Sequence, residues 1–289
     1  MINLFGYTKD PANRIVRFEL DANLQAELSI YLLGQADKFD ACEQIAFDGK
    51  YKPDEDECLV ISGFDDLDSL ANAVSDPMKI PVTQSEDILW ALKALFFGRQ
   101  VDGNWAVYLQ VFDRRRLISN NGFSIFHSGN VYKRLEGAGL TIDSRITARL
   151  IDDDLKFRSF FVAKQIFDLS SHYQDATDAD IEDFVQMKQV LVADIPKFKE
   201  ISDSWVRRKV WLIQQSKILE TVPSKDLKAT AAEFGLNLKF DTDAKGAEHL
   251  VLPTDKRELK ALLRFLDEDY YTSPLLKKNF RTNSKIPLN

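Results

Sequence analysis

The chain has 289 residues, 45% of them apolar and 29% charged, with a net charge of -7. That length buries a sizeable core in one large domain or two smaller ones. No apolar run reaches the roughly 20 residues that span a bilayer, and the opening MINLFGYTKDPANR lacks the order of a signal peptide. Cys42 and Cys58 are too few for a disulfide framework and lack the spacing of a metal knuckle, so two reduced thiols are expected. Charge is uneven along the chain. Residues 1–100 carry 18 acids and 9 bases, whereas residues 101–289 carry 27 acids and 29 bases. An acidic part beside a near-neutral part with basic clusters implies two different surfaces.

Asp21 is placed to cap a helix running to about Ala36, with Leu24, Leu28 and Leu32 on one stripe. A strand over Cys58–Ser62 and a short helix over Asp66–Val74 follow. Two prolines in Asp76-Pro77-Met78-Lys79-Ile80-Pro81 interrupt regular structure, which places a domain boundary there. Residues 1–80 are thus read as a small acidic α/β unit and a candidate protein contact, and residues 81–289 as a larger domain. That domain opens with strands over Lys93–Phe97 and Trp105–Phe112, joined at Asp102-Gly103. WAVYLQVF is apolar on both faces and suits a central strand. Asn121-Gly122 marks a turn before Phe123–His127. Arg145–Ile151 and Leu155–Val162 form a hairpin across a three-residue turn, Asp152-Asp153-Asp154. Helices are expected at about Lys164–Leu169, Asp180–Val192 and Ser202–Glu220, and Gly235 ends another. Strands over Leu236–Phe240 and Leu250–Leu252 precede a last helix. Asp255 and Glu258 stand in capping-box register there, with Leu259, Leu262, Leu263 and Leu266 on one face. Strands followed mainly by helices define an α+β fold with an antiparallel sheet and C-terminal helices.

Motifs for chemistry are sparse. The glycines form no nucleotide loop, and His127, His172 and His249 sit in no paired metal motif. No cofactor is implied and no catalytic residue stands out. Asp154-Leu155-Lys156 has the acid-x-Lys spacing of Mg-dependent nucleases, with Asp143 or Asp152 able to supply a further acid. The same aspartates also suit a hairpin turn. The cations are more suggestive. Arg145 and Arg149 on one hairpin strand, and Lys156 and Arg158 on the other, share the face opposite the apolar one. That face suits phosphate backbones, or equally a solvated sheet surface whose cations pair with nearby acids. Arg114, Arg115 and Arg116 follow the central strand, and three consecutive arginines cannot all point inward. Arg207, Arg208 and Lys209 lie beside Trp205 and Trp211, where Trp205, Val206, Val210 and Ile213 fit a core stripe. Lys277, Lys278, Arg281 and Lys285 end the chain with no acid among them, as a docking arm or a frayed end.

Three stretches resemble the KwaB family of the bacterial Kiwa anti-phage system. They are VYLQVFDRRRLIS, the VAKQIFDL after the hairpin, and the closing LLRFLDEDYYTSPL with FRTNSK. The likeness spans roughly residues 90–285. Family members often carry Thr-Gly after the Ser-x-Leu part, where this chain has Leu276-Lys277. The resemblance implies a cytosolic effector that binds phage double-stranded DNA with little sequence preference. It also implies a KwaA-like membrane partner, recruitment by that partner to the inner face of the membrane, and homo-oligomers of two or more copies. On that reading Arg114–Arg116, the hairpin cations and the tail are the DNA-contact candidates. A Mg-dependent nuclease using Asp154 and Lys156, or a non-catalytic adaptor, are the alternatives.

Overall fold

Two crossings of one sheet set the architecture of residues Met1–Leu169. The computed structural model describes residues 1–64, 68–83, 86–118, 125–134, 138–244, 246–282 and 284–285. It divides into two compact units, Met1–Leu169 and Ser170–Asn289. In the first, β1 (Phe5–Thr8) and β2 (Ile15–Phe18) lead into helix α1 (Ala22–Asp40). Then come β3 (Glu43–Ala46), β4 (Glu57–Ile61), α2 (Asp68–Ser75), β5 (Val82–Thr83) and a short α3 (Ile88–Ala91). The long pair β6 (Leu92–Val101) and β7 (Asn104–Val111) follows. Beyond it are β8 (Leu117–Ile118), β9 (Ile125–Ser128), β10 (Val131–Arg134), β11 (Gly139–Leu140), β12 (Ala148–Ile151), β13 (Asp154–Phe157) and α4 (Phe160–Ala163).

Nine strands form one sheet in the order β3-β4-β13-β12-β7-β6-β1-β2-β5. Pairing is antiparallel in the interior and parallel at both edges, β3 with β4 and β2 with β5. The connection through α1 therefore carries the chain from one end of the sheet to the other, and the connection through α2 carries it back. Leu28, Leu32, Ala36 and Phe39 of α1 pack with Leu95, Phe97, Ala106 and Tyr108 on one face. Leu70, Ala73 and Val74 of α2 pack with Phe96, Val107, Leu109 and Phe157 on the other. Both faces are covered, which is why the strand WAVYLQVF is apolar on both sides. The expected boundary at residues 76–81 falls inside this unit. Its prolines do break regular structure, as the 3₁₀ turn Pro77–Lys79, but strands on either side of them share the sheet.

Local signals hold where backbone chemistry is strict. Asp21 accepts from the N–H groups of Asn23 and Leu24 and caps α1, which runs one turn past the expected Ala36; Leu24 is exposed. Asp102 and Gly103 both take positive φ, 51° and 88°, as a two-residue hairpin turn between right-twisted strands requires. The β12–β13 hairpin differs from expectation. Ile151 pairs with Asp154, so the turn is the two residues Asp152-Asp153, and the second strand ends at Phe157. The expected Asn121-Gly122 turn lies outside the described residues. At Gly98, β6 and α2 approach closely, and a Cβ there would sit 2.4 Å from Val74 Cβ. Gly98→Ala is expected to destabilise this unit by about 1–3 kcal/mol through overpacking, read as a lower urea midpoint.

The second unit holds α5 (Asp178–Val185), β14 (Val190–Leu191), α6 (Ile195–Ile201), α7 (Ser204–Ser216), α8 (Ile218–Thr221) and α9 (Ser224–Glu233). It continues with β15 (Phe240–Thr242), β16 (Glu248–Val251), α10 (Lys256–Leu266), β17 (Tyr270–Thr272) and β18 (Asn279–Arg281). The single helix expected over Ser202–Glu220 is split at Lys217, whose φ of 54° separates α7 from α8. Thr177 and Asp180 form a capping box on α5, and Asp255 caps α10. Val206, Val210 and Ile213 of α7 meet Leu259, Leu262, Leu263 and Leu266 of α10 in one core. The closing tail is neither frayed nor a lone arm, because Tyr270–Thr272 and Asn279–Arg281 pair as a hairpin. With its sheets and C-terminal helices, the chain is α+β.

Candidate functional site

The cationic face of the β12–β13 hairpin is not an outer surface. Because α1 covers that side of the sheet, Arg149, Lys156 and Arg158 point into a polar layer beneath it. Asp40, at the last turn of α1, is its pivot. Its Oδ1 accepts from Arg149 Nη1 (2.9 Å), and its Oδ2 accepts from Arg99 Nη2 and from the Tyr108 hydroxyl (both 2.6 Å). Arg99 also pairs with Asp37 at 2.6 Å. Burial, then the bond to Asp40, pushes the Tyr108 phenol up to about 12. Lys156 is 1% exposed. Its Nζ donates to the carbonyls of Cys42 (3.1 Å) and Asp40 (3.3 Å) and lies 5.4 Å from the Phe39 ring centroid. Burial lowers its pKa, since the charged form loses water. Arg158 donates to the Glu55 carbonyl (2.5 Å) and to Cys42 Sγ (3.1 Å). These three residues tie the end of α1 and the start of β3 to the sheet, and they are corrected from DNA contacts to a structural layer. Burial and the neighbouring Cys42 push the Cys58 thiol up to about 12, and its side chain is 0% exposed.

The same layer engages the lysine of the acid-x-Lys pattern. Lys156 is 1% exposed and gives two of its three N–H donors to the Asp40 and Cys42 carbonyls. Asp152 takes φ 51° in the turn and accepts from Asn104 Nδ2 (3.1 Å), while Asp143 pairs with Arg116 (2.6 Å). Among the described residues, no group of three or more His, Cys, Asp and Glu is placed to hold a metal. His249 is a local brace, its Nδ1 donating to the Lys188 carbonyl at 2.6 Å.

A different set of cations does face solvent. Asp113 caps the 3₁₀ turn Arg114–Arg116, accepting from the Arg115 N–H. Arg115 folds back on it at 2.5 Å, yet its side chain stays 90% exposed. The bond from Arg115 holds the Asp113 carboxyl down at about 2. Arg116 reaches Asp143, whose carbonyl also accepts from Gln35 and Gln110 (both 3.0 Å). That bridge joins the 3₁₀ turn to the loop bearing Arg145. Arg114 and Arg145 are exposed and form no ion pair among the described residues. Arg145 lies before β12, not in it. The corner therefore offers planar guanidinium forks to an anion with little to desolvate.

In the second unit, the closing motif builds a buried ion cluster. Asp267 and Asp269, 4% and 2% exposed, flank the end of α10. Lys209 of α7 donates to both, at 2.5 and 2.6 Å. Lys285 returns from the tail to Asp269 (3.3 Å) and comes within 3.9 Å of Asp267. Lys285 is thus corrected from a DNA contact to a tether. Lys277, Lys278 and Arg281 remain exposed. Arg207, Arg208 and Lys209 serve structure too. Arg207 donates to the Ala176 carbonyl, and Arg208 stacks 4.1 Å from the Tyr173 centroid. Sequence reasoning missed Asp40 and Lys209 as pivots. Lys209 carried a signal, because it sits between Val206 and Ile213 on the core stripe, where an unpaired lysine could not remain.

No helix among the described residues is long and apolar enough to cross a membrane. No curated protein and no solved structure matches the chain. The family described as Kiwa protein KwaB-like matches residues 95–275, from within β6 into the tip of the last hairpin. That stretch contains the 3₁₀ turn, the β12–β13 hairpin and Lys209 with both of its carboxylate partners, and by it the chain belongs to the KwaB-like family.

Proposed function

We propose that this chain, a Kiwa anti-phage defence component by family, binds double-stranded DNA with little sequence preference and works with a KwaA-like membrane protein. The observation that carries the DNA reading is the exposed corner of Arg114, Arg115 and Arg145 in an otherwise acidic protein. All three lie within the matched residues 95–275, whereas Lys277, Lys278 and Arg281 lie beyond them. Arginine forks pair bidentately with phosphate oxygens and need no base contact, which makes such binding sequence-tolerant and salt-sensitive. Assembly into dimers or larger oligomers would place several such corners along one duplex, multiplying a modest single contact.

The test is a titration of double-stranded DNA at two salt concentrations, comparing the parent chain with Arg114→Glu/Arg145→Glu. The parent is expected to bind at low salt and to weaken steeply as salt rises. The double variant should bind less tightly, and its log–log salt slope should flatten by about 0.9 for each phosphate that it no longer neutralises. Unchanged affinity and slope would remove the corner from the site. Both substituted side chains are exposed, and an unchanged circular dichroism spectrum would confirm folding.

A further inference from the structure

The β17–β18 hairpin combines a fixed root with an exposed apolar tip. At the root, Tyr270 packs on Phe234 with ring centroids 5.7 Å apart. Asn279 Nδ2 donates to the Glu233 carbonyl (2.6 Å), the Thr282 N–H donates to the Asp269 carbonyl (2.8 Å), and Lys285 holds Asp269. The tip is ordered by its own bonds. Ser273 N–H donates to the Lys278 carbonyl (3.0 Å), Lys277 N–H to the Ser273 carbonyl (2.9 Å), and Leu276 N–H to Ser273 Oγ (3.2 Å). At its centre Leu275 and Leu276 are 90% and 62% exposed. Tyr271 and Phe280 stack beneath them with centroids 5.5 Å apart, both partly in solvent. Lys277, Lys278 and Arg281 are exposed and form no ion pair among the described residues. No acid occurs from Tyr270 to Lys285.

Nothing in the fold requires leucines there, and water opposes leaving them exposed. Lys277 also occupies left-handed backbone, φ 53°, where glycine would be unstrained. A lysine held at that position keeps positive charge next to the leucines. We infer that this tip docks on an anionic lipid bilayer. Leucines lead, cations follow immediately, and an aromatic pair lies behind them. That arrangement suits a membrane interface, where leucines reach the hydrocarbon boundary while cations and tyrosine meet the headgroup level. A DNA duplex presents phosphates outermost, so a contact built for it would lead with its cations. The inference is independent of the arginine corner, which lies in the other unit. It gives the chain its own hold on the membrane, apart from any protein partner.

Flotation of the full chain with phosphatidylcholine vesicles, with and without phosphatidylglycerol, tests this. The chain is expected to float with the anionic vesicles and not with the neutral ones. Leu275→Ser/Leu276→Ser should lower retention about tenfold, as two partly inserted leucines imply. Lys277→Gln and Lys278→Gln should each lower it about fivefold at low salt. All four side chains are exposed, and an unchanged circular dichroism spectrum would confirm folding. Absence of the parent chain from the anionic vesicles would overturn the proposal, as would undiminished retention of the leucine variant. Loss of DNA binding in the tip variants without any vesicle binding would reassign the hairpin to nucleic acid.

Discussion

Replacing Lys209 by methionine is expected to cost the C-terminal unit about 3–5 kcal/mol. The reason is what the substitution leaves behind. Asp267 and Asp269 are 4% and 2% exposed, and both take their main charge partner from Lys209 Nζ. Lys285 is farther away, at 3.9 and 3.3 Å, and cannot replace it. Two carboxylates would then stand close together in a poorly solvated site at the end of α10. Urea unfolding followed by tryptophan fluorescence would register the loss, since Trp205 lies 5.7 Å from Lys209 Nζ. A rescue separates charge from packing. Adding Asp267→Asn to the methionine variant should recover part of the stability, because the remaining carboxylate, Asp269, keeps its pairing with Lys285 and no second carboxylate is left without a counter-charge. A near-neutral single substitution would mean that the cluster is solvated and holds nothing together.

The second large effect is expected at Asp40. Asp40→Ala removes the one acceptor shared by Arg99, Arg149 and Tyr108, and should destabilise the N-terminal unit by about 3 kcal/mol. The figure stands at the low end for a buried pair because the Asp40 side chain is 20% exposed and water reaches part of it. Asp40→Asn should lose roughly half as much, since the amide oxygen still accepts one bond. Hydrogen exchange would localise the change to the end of α1 and to β3, the segments that the layer ties down. A loss below about 1 kcal/mol, the range of a solvated surface pair, would show that water substitutes for the carboxylate.

What can be read in the sequence follows from the range of the interactions involved. Caps and turns are local, so Asp21, Asp255, Asp102-Gly103 and Gly235 can be placed from a few neighbouring residues. The α+β class and the family resemblance likewise rest on contiguous stretches. The strands β1, β2 and β3 escape such reading, because each has only four residues and depends on a distant partner. The hairpin cations show the limit most plainly. Alternation correctly puts Arg149 and Lys156 on one face, but it carries no information about what covers that face. Only the passage of α1 across the sheet turns a plausible phosphate surface into an interior layer. The tail is opaque for a related reason: the carboxylates that hold Lys285 are buried against Lys209, which lies far earlier in the chain.

The route of the first 90 residues has a consequence for synthesis. From β2 the chain passes along α1 to the far edge of the sheet, and from β4 it returns through α2, yet every strand between β4 and β1 comes later in the sequence. Emerging from the ribosome, these elements straddle a gap whose filling has not been made. At typical elongation rates of about 5–20 residues per second, the strands up to β13 follow only several seconds later. During that interval the apolar faces of α1 and α2 have no sheet to rest on, and the edge of β4 has no neighbour in β13. The nascent N-terminal segment is thus a natural client for chaperones, and the unit becomes foldable only once β13 has left the exit tunnel.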